Sequence, residues 1–303
     1  MKASKKQKSS AAGIIIVALA VALSKTGLFR PNDKQATQDA EQAAIEIVQD
    51  IPETDPASTI AFPSQSSTNA ATYRVDRMEI PKMYASGEGQ RIDHTGHSLY
   101  YSQDLKTPVW VAWEITREEA SQRNVEREME FTPEPEIEGT KAYYYDYNSS
   151  GFDRGHMAPA GDMKWDAKAM EEVFYMSNIC PQNHELNAGD WNDLEMKTRY
   201  WAKKYGKVYV VCGPIYRKQK PERIGTHKVA VPDAFFKAIL FNKGKNKPVT
   251  AGFLFDNNEV HKELKDRMVT VDDLEKLLNM NFFSMMPDKI ENQIEAELPD
   301  ILN

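Results

Sequence analysis

Gly151-Phe152-Asp153-Arg154-Gly155-His156-Met157-Ala158-Pro159-Ala160 is the stretch on which the reading of this chain turns. A histidine stands beside an arginine and an aspartate, with glycine on one side and proline on the other. A second stretch follows, Leu186-Asn187-Ala188-Gly189-Asp190-Trp191-Asn192-Asp193-Leu194-Glu195. It opens a helical pattern with an asparagine and carries a glutamate eight residues on. Between them Ser177-Asn178-Ile179-Cys180-Pro181-Gln182 is short and apolar.

The surroundings set the fold class. Residues 73–75, 97–101, 109–115, 207–213, 228–231, 235–241 and 249–255 are rich in β-branched and aromatic residues and predict strands. Thr116 predicts a cap for a helix over 117–123, with Glu119 at the capping-box position. An amphipathic pattern predicts a helix over 166–177. Asn187 is expected to cap a longer helix reaching Tyr205 and ended by Gly206. Thr270 is expected to cap another over 272–279. Strands and helices do not alternate regularly, so the class is α+β rather than a doubly wound parallel sheet.

Four spans are expected. Lys2, Lys5, Lys6 and Lys8 precede an uncharged run from Ser9 to Ser24, so residues 1–30 read as a signal peptide or N-terminal membrane anchor. That predicts an extracytoplasmic protein: secreted, periplasmic or held on a membrane. Residues 31–72 are polar and rich in Ala, Ser, Thr and Pro, and read as a flexible linker. The globular domain spans 73–287, and 288–303 is a polar tail with helical character. The net charge of −7 is unlike the basic footprint of most nucleic-acid binders, yet residues 141–230 hold 14 Lys/Arg against 11 Asp/Glu. Two cysteines, Cys180 and Cys212, make no disulfide framework; both read as buried thiols, with a single bridge left open.

Hydrolysis of a phosphodiester requires a base for the attacking water, stabilisation of charge on phosphate, and neutralisation of the departing oxygen. His156, with a reference pKa of about 6.5, suits the first task. Arg154 offers a fork of donors for phosphate. The amide oxygen of Asn187 is hard and neutral, which suits Mg²⁺. On one continuous helix Glu195 would lie about 80° around from Asn187. Singly, each has a plainer reading: a solvated loop histidine, an N-cap, and a glutamate paired with Arg199 at i+4. In conjunction they make a site.

These three segments together resemble the DNA/RNA non-specific endonuclease family. It is a branch of the ββα-metal, or His-Me finger, group that includes secreted bacterial nucleases and mitochondrial endonuclease G. Trp110-Val111-Ala112-Trp113, Cys212-Gly213-Pro214-Ile215-Tyr216 and Val231-Pro232-Asp233-Ala234-Phe235-Phe236-Lys237 extend the likeness over 73–287. The resemblance implies a central, mainly antiparallel sheet flanked by helices. It implies His156 as general base, Asn187 as the single protein ligand of a hydrated Mg²⁺, with Mn²⁺ as a substitute, and Glu195 orienting the water around that ion. Arg127 and Arg199 match phosphate-side arginines, Arg154 belongs to the motif itself, and Asn178 matches an asparagine that positions groups near the metal. DNA and RNA are the implied partners, cut with little sequence preference to leave 5′-phosphate ends, and a homodimer is among the implied arrangements. Two rival readings are a nucleic-acid-binding surface protein without catalysis and a phosphodiesterase acting on small nucleotides. Cys180 departs from the Thr or Ala common at its position, and the acidic net charge predicts weaker affinity for duplex DNA than a basic relative has.

Overall fold

Ala234–Asn242 reads Ala-Phe-Phe-Lys-Ala-Ile-Leu-Phe-Asn, and every residue but the last is buried. An antiparallel strand with one wet face would alternate; this one does not, so the sheet around it must be covered on both faces. The computed structural model bears this out. It describes residues 77–302 apart from 85–88, 129 and 245–246. The expected leader, the linker and the strand expected at 73–75 lie outside the described residues.

The strands of the sheet are β1 (Gln90–Asp93), β2 (Ser98–Ser102) and β3 (Thr107–Thr116), then β6 (Lys207–Ile215), β7 (Ala234–Asn242), β8 (Pro248–Asp256) and β9 (Met268–Val269). Two strands stand apart, β4 (Asp153–His156) and β5 (Ile179–Gln182). The order in the sheet is β9-β8-β7-β6-β3-β2-β1, antiparallel throughout. Among the described residues the α-helices of five residues or more are α1 (Arg117–Ser121), α2 (Ala167–Glu172), α3 (His184–Ala188), α4 (Asp190–Tyr205), α5 (Val271–Leu278) and α6 (Asp288–Ile294). The class is α+β, as the pattern predicts.

Side chains of alternate parity form two cores. Trp113, Val210, Phe235 and Ile239 meet Trp191, Leu194 and Trp201 of α4 on one face. Ala112, Val211, Phe236 and Leu240 meet Val271 and Leu274 of α5 and Phe282 on the other. Trp201 stacks on Phe241 with ring centroids 5.2 Å apart. Each such fully buried side chain contributes about 1.5–3 kcal/mol.

The capping box at Thr116 is present: its hydroxyl accepts from Glu119 N–H while Glu119 accepts from the Thr116 N–H. Three expectations are corrected. The helix expected over 166–177 stops at Glu172, because the backbone of Phe174 and Met176 bonds across to Thr132 instead. Asn187 caps nothing. Asn183 caps α3, and the chain breaks at Gly189 before α4 begins, so Asn187 and Glu195 sit on two helices rather than one. The tail is not peripheral: Glu291, Glu295 and Ile301 are buried. Both cysteines are free and buried. Among the described residues no helix is long and apolar enough to cross a membrane.

Candidate active site

Strands β4 and β5 form a two-stranded ribbon in which Asp153 faces Gln182, Gly155 faces Cys180 and His156 faces Ile179. Gly155 is required by contact: a Cβ there would lie 2.1 Å from the Gln182 Oε1. The ribbon runs on into α3 and α4, a ββα unit held together at both ends. At one end the Asn187 Nδ2 of α3 donates to Asp153 Oδ2 at 2.9 Å. At the other the Trp191 indole of α4 donates to the His156 carbonyl at 3.2 Å. Asp190 anchors the start of α4 through Arg267, whose Nη2 lies 2.6 Å from its carboxylate, and through His261. Its negative charge also suits the positive end of the helix.

His156 is 8% exposed, and its Nε2 is buried with no hydrogen-bond partner in the protein. Phe131 and Phe174 pack on the ring at centroid distances of 5.4 and 4.7 Å. Burial first, and then the charge of Arg127, pushes the imidazole pKa down to about 3. The ring is therefore neutral, with an unprotonated nitrogen, throughout the physiological range. The Arg127 guanidinium, exposed, lies over the Phe174 ring at 5.3 Å. The segment that carries Phe131 is fixed by Thr132, which bonds the backbone of Phe174 and Met176.

Glu195 lies one turn after Trp191 on α4, with its side chain 13% exposed. Burial pushes its carboxyl up to about 7; Lys237, Arg199 and Arg127 oppose that shift and Asp162 adds to it. Arg199, the next turn along, is 2.8 Å from Asp162 and 4.0 Å from Glu195. Asp162 is itself buried and accepts from the Trp113 indole at 3.0 Å. His156, Arg127, Glu195 and Arg199 thus share one electrostatic neighbourhood. Asn187 stands on the preceding helix, its nitrogen spent on Asp153, which leaves a hard carboxamide oxygen as the free end. That donor suits Mg²⁺.

The two remaining candidates are engaged elsewhere. Arg154 donates to the Tyr144 carbonyl at 3.0 and 2.9 Å and to Asn148 at 2.9 Å, and so braces the ribbon. Asn178 is fully buried: its oxygen accepts from Ala158 N–H, and its nitrogen donates to the carbonyls of Ala158 and Val173. It pins the chain just beyond His156.

Sequence reasoning passed over Asp153 as an anchor for Asn187, and passed over Asp162. It also gave no role to Lys237. That lysine is 1% exposed, its Nζ has no hydrogen-bond partner, and it lies 3.8 Å from the centre of the Trp191 ring. The signal for it was on the page: one cation inside an otherwise apolar strand.

Comparison with known proteins points to one family. The model of the DNA/RNA non-specific endonuclease family matches residues 75–289. The mitochondrial nuclease EXOG of Danio rerio is 37% identical over 234 residues, covering 72% of this chain and 67% of the relative. That of Xenopus laevis is 37% identical over 207 residues, covering 64% and 58%. The chain therefore spans about three fifths to two thirds of these relatives' own lengths. A solved structure entitled as the EndoG/EndoGI complex, on the mechanism of EndoG inhibition, superposes with a TM-score of 0.66 at 28% identity. It covers 74% of this chain and 96% of that one. The expected secreted or periplasmic location is corrected here, since both relatives are named as mitochondrial proteins. With the family model running through the whole ββα unit and the sheet that carries it, the chain belongs to the DNA/RNA non-specific endonuclease family, a family of nucleic-acid hydrolases.

Proposed function

We propose that this protein is a metal-dependent endonuclease that hydrolyses phosphodiester bonds in DNA and RNA with little sequence preference and leaves 5′-phosphate ends. Its compartment, read from the named relatives, is mitochondrial. The observation that carries the reading is the His156 Nε2: a neutral, buried imidazole nitrogen, paired with no protein group, beside an arginine. An imidazole nitrogen with no protein partner is free to meet a water, as a general base must. His156 takes the proton of the attacking water. Arg127 and Arg199 hold the phosphate oxygens, and contacts of that kind position a nucleic acid without reading its bases.

Asn187 would hold Mg²⁺ through its amide oxygen, and Glu195 would accept hydrogen bonds from the water around the ion. Bound there, the ion supplies charge stabilisation to the phosphate and its departing oxygen. Mn²⁺, which also accepts oxygen ligands, would substitute. Asp153 fixes the amide of Asn187. Arg154 and Asn178 keep the ribbon in register.

His156→Ala should lower the rate of plasmid cleavage by about 10²–10⁴-fold with the melting temperature nearly unchanged. A fully active variant would overturn the assignment. Comparing rates on long DNA and on a dinucleotide separates an endonuclease from a phosphodiesterase for small nucleotides.

A further inference from the structure

The face of the sheet opposite the ββα unit carries a cluster that the nuclease reaction does not use. Asp272 and Glu275 lie one turn apart on α5, and Glu291 and Glu295 lie one turn apart on and just after α6. Ligand oxygens of Asp272, Glu275 and Glu295 all fall within 4.8 Å of one another. That is the greatest separation two ligands can have across an ion bound at about 2.4 Å, a calcium distance. Glu291 and Glu295 are 8% and 2% exposed, and one carboxylate oxygen of each is buried with no donor in the protein. So is the amide oxygen of Asn281, whose side chain adjoins Glu291.

Among the described residues, the cation paired with this cluster is the exposed Lys276, 3.4 Å from Asp272. Glu275 has a further partner, the Phe282 N–H at 2.7 Å. Buried carboxylates without cations are costly, and nature resolves them with a proton, a partner or a metal. Burial, then Glu275 and Glu291, pushes Glu295 up to about 9, and burial pushes Glu275 up to about 7.

We propose that Asp272, Glu275 and Glu295, with Glu291 close beside them, form a second divalent-cation site, one that takes Ca²⁺ and is independent of the nuclease centre. The donors are all oxygens, which excludes the metals that favour nitrogen or sulfur. Several converging carboxylates, Glu295 buried and Asp272 and Glu275 half-buried, suit Ca²⁺ better than Mg²⁺, which keeps much of its water. The ion would clamp α6 to α5. The backbone already joins them there: Asp272 N–H donates to the Glu295 carbonyl, and the Thr250 hydroxyl of β8 donates to the Ile294 carbonyl.

The test uses the full chain, stripped with chelator, carrying Asn187→Ala to remove the proposed catalytic ligand. Calorimetric titration with CaCl₂ should show one site per chain. The melting temperature should rise by about 5–10 °C at a free Ca²⁺ a hundred times the measured Kd. Equal Mg²⁺ should shift it less. Adding Glu275→Gln and Glu295→Gln should abolish both the binding and the Ca²⁺ shift. That variant should melt no lower than its parent in chelator, because it removes buried charge. Should the double change fail to fold, Asp272→Asn alone should weaken Ca²⁺ binding at least tenfold. Absence of Ca²⁺ binding, or a Ca²⁺ shift that survives the glutamine changes, would each overturn the site.

Discussion

Two ionisable residues of the ββα unit are pushed in opposite directions, and this decides the pH behaviour. His156 is held down to about 3 and Glu195 up to about 7. As pH falls through neutrality the imidazole stays free while the carboxyl gains a proton. The groups facing Glu195 are Lys237 from β7, Asp162 from the turn before α2, Arg127 from the loop after α1, and Arg199 from α4 itself. The acid limb of kcat/KM is therefore expected near pH 7, with unit slope, and belongs to Glu195. Raising Mg²⁺ should move it lower, since the cation favours the carboxylate. Lys237→Met, which removes a buried cation, should move the limb up by about one unit. A limb that stays put in that variant would show that the lysine does not act through Glu195. Stability runs the other way. A carboxyl with a raised folded pKa stabilises the fold below its unfolded value of 4.5, and that contribution is lost as pH rises through 7. Melting temperature and activity should thus change in opposite senses across this window.

At the scale of the element, the break between α3 and α4 is what separates Asn187 from Glu195. Gly189 has φ −101° and ψ −112°, and a Cβ on it would lie 2.5 Å from the Glu185 carbonyl oxygen. Gly189→Ala must open the end of α3 and carry Asn187 away from Asp153. The expected result is a loss of about 10²-fold in kcat, the usual consequence of a displacement near 1 Å at a reacting centre, while far-ultraviolet dichroism stays unchanged. Restoration of activity by high Mg²⁺ would locate the damage at Asn187. This break also marks how far the sequence could be read. The long apolar strands and the capping boxes declared themselves through burial pattern and local hydrogen bonds, which depend on near neighbours. The ββα unit was visible as spacing, but the helix seemed continuous because Asn, Ala and Gly are all tolerated near a helix start. The role of Asp162 was not legible. Asp162 acts through Trp113, 49 residues away, and through Arg199, 37 residues away. No local pattern encodes such pairings.

At the scale of the whole molecule, the sheet separates two tasks. One face carries the nuclease unit, and the other is closed by α5 and α6, after which the chain returns to pack against α4. Reading 288–303 as a polar tail would place the end of the domain at residue 287, but the packing argues that it lies further on. Ile301 is 5% exposed in the same core as α4. The Lys197 ammonium of α4 donates to the Leu302 carbonyl at 3.2 Å, and Thr250 of β8 donates to that of Ile294 at 2.9 Å. Burial of the isoleucine with these two bonds contributes roughly 3–5 kcal/mol. For a domain of this size that corresponds to about 10 °C in melting temperature. A fragment spanning 73–303 is therefore expected to fold and to cleave DNA in a manner abolished by EDTA. A fragment ending at 287 should melt about 10 °C lower and lose activity first on warming, with its kcat at low temperature preserved because no residue of the ββα unit is removed. Equal melting temperatures for the two fragments would return the segment to the status of a tail. A loss of kcat at low temperature would mean instead that this closing segment supports the active site through α4.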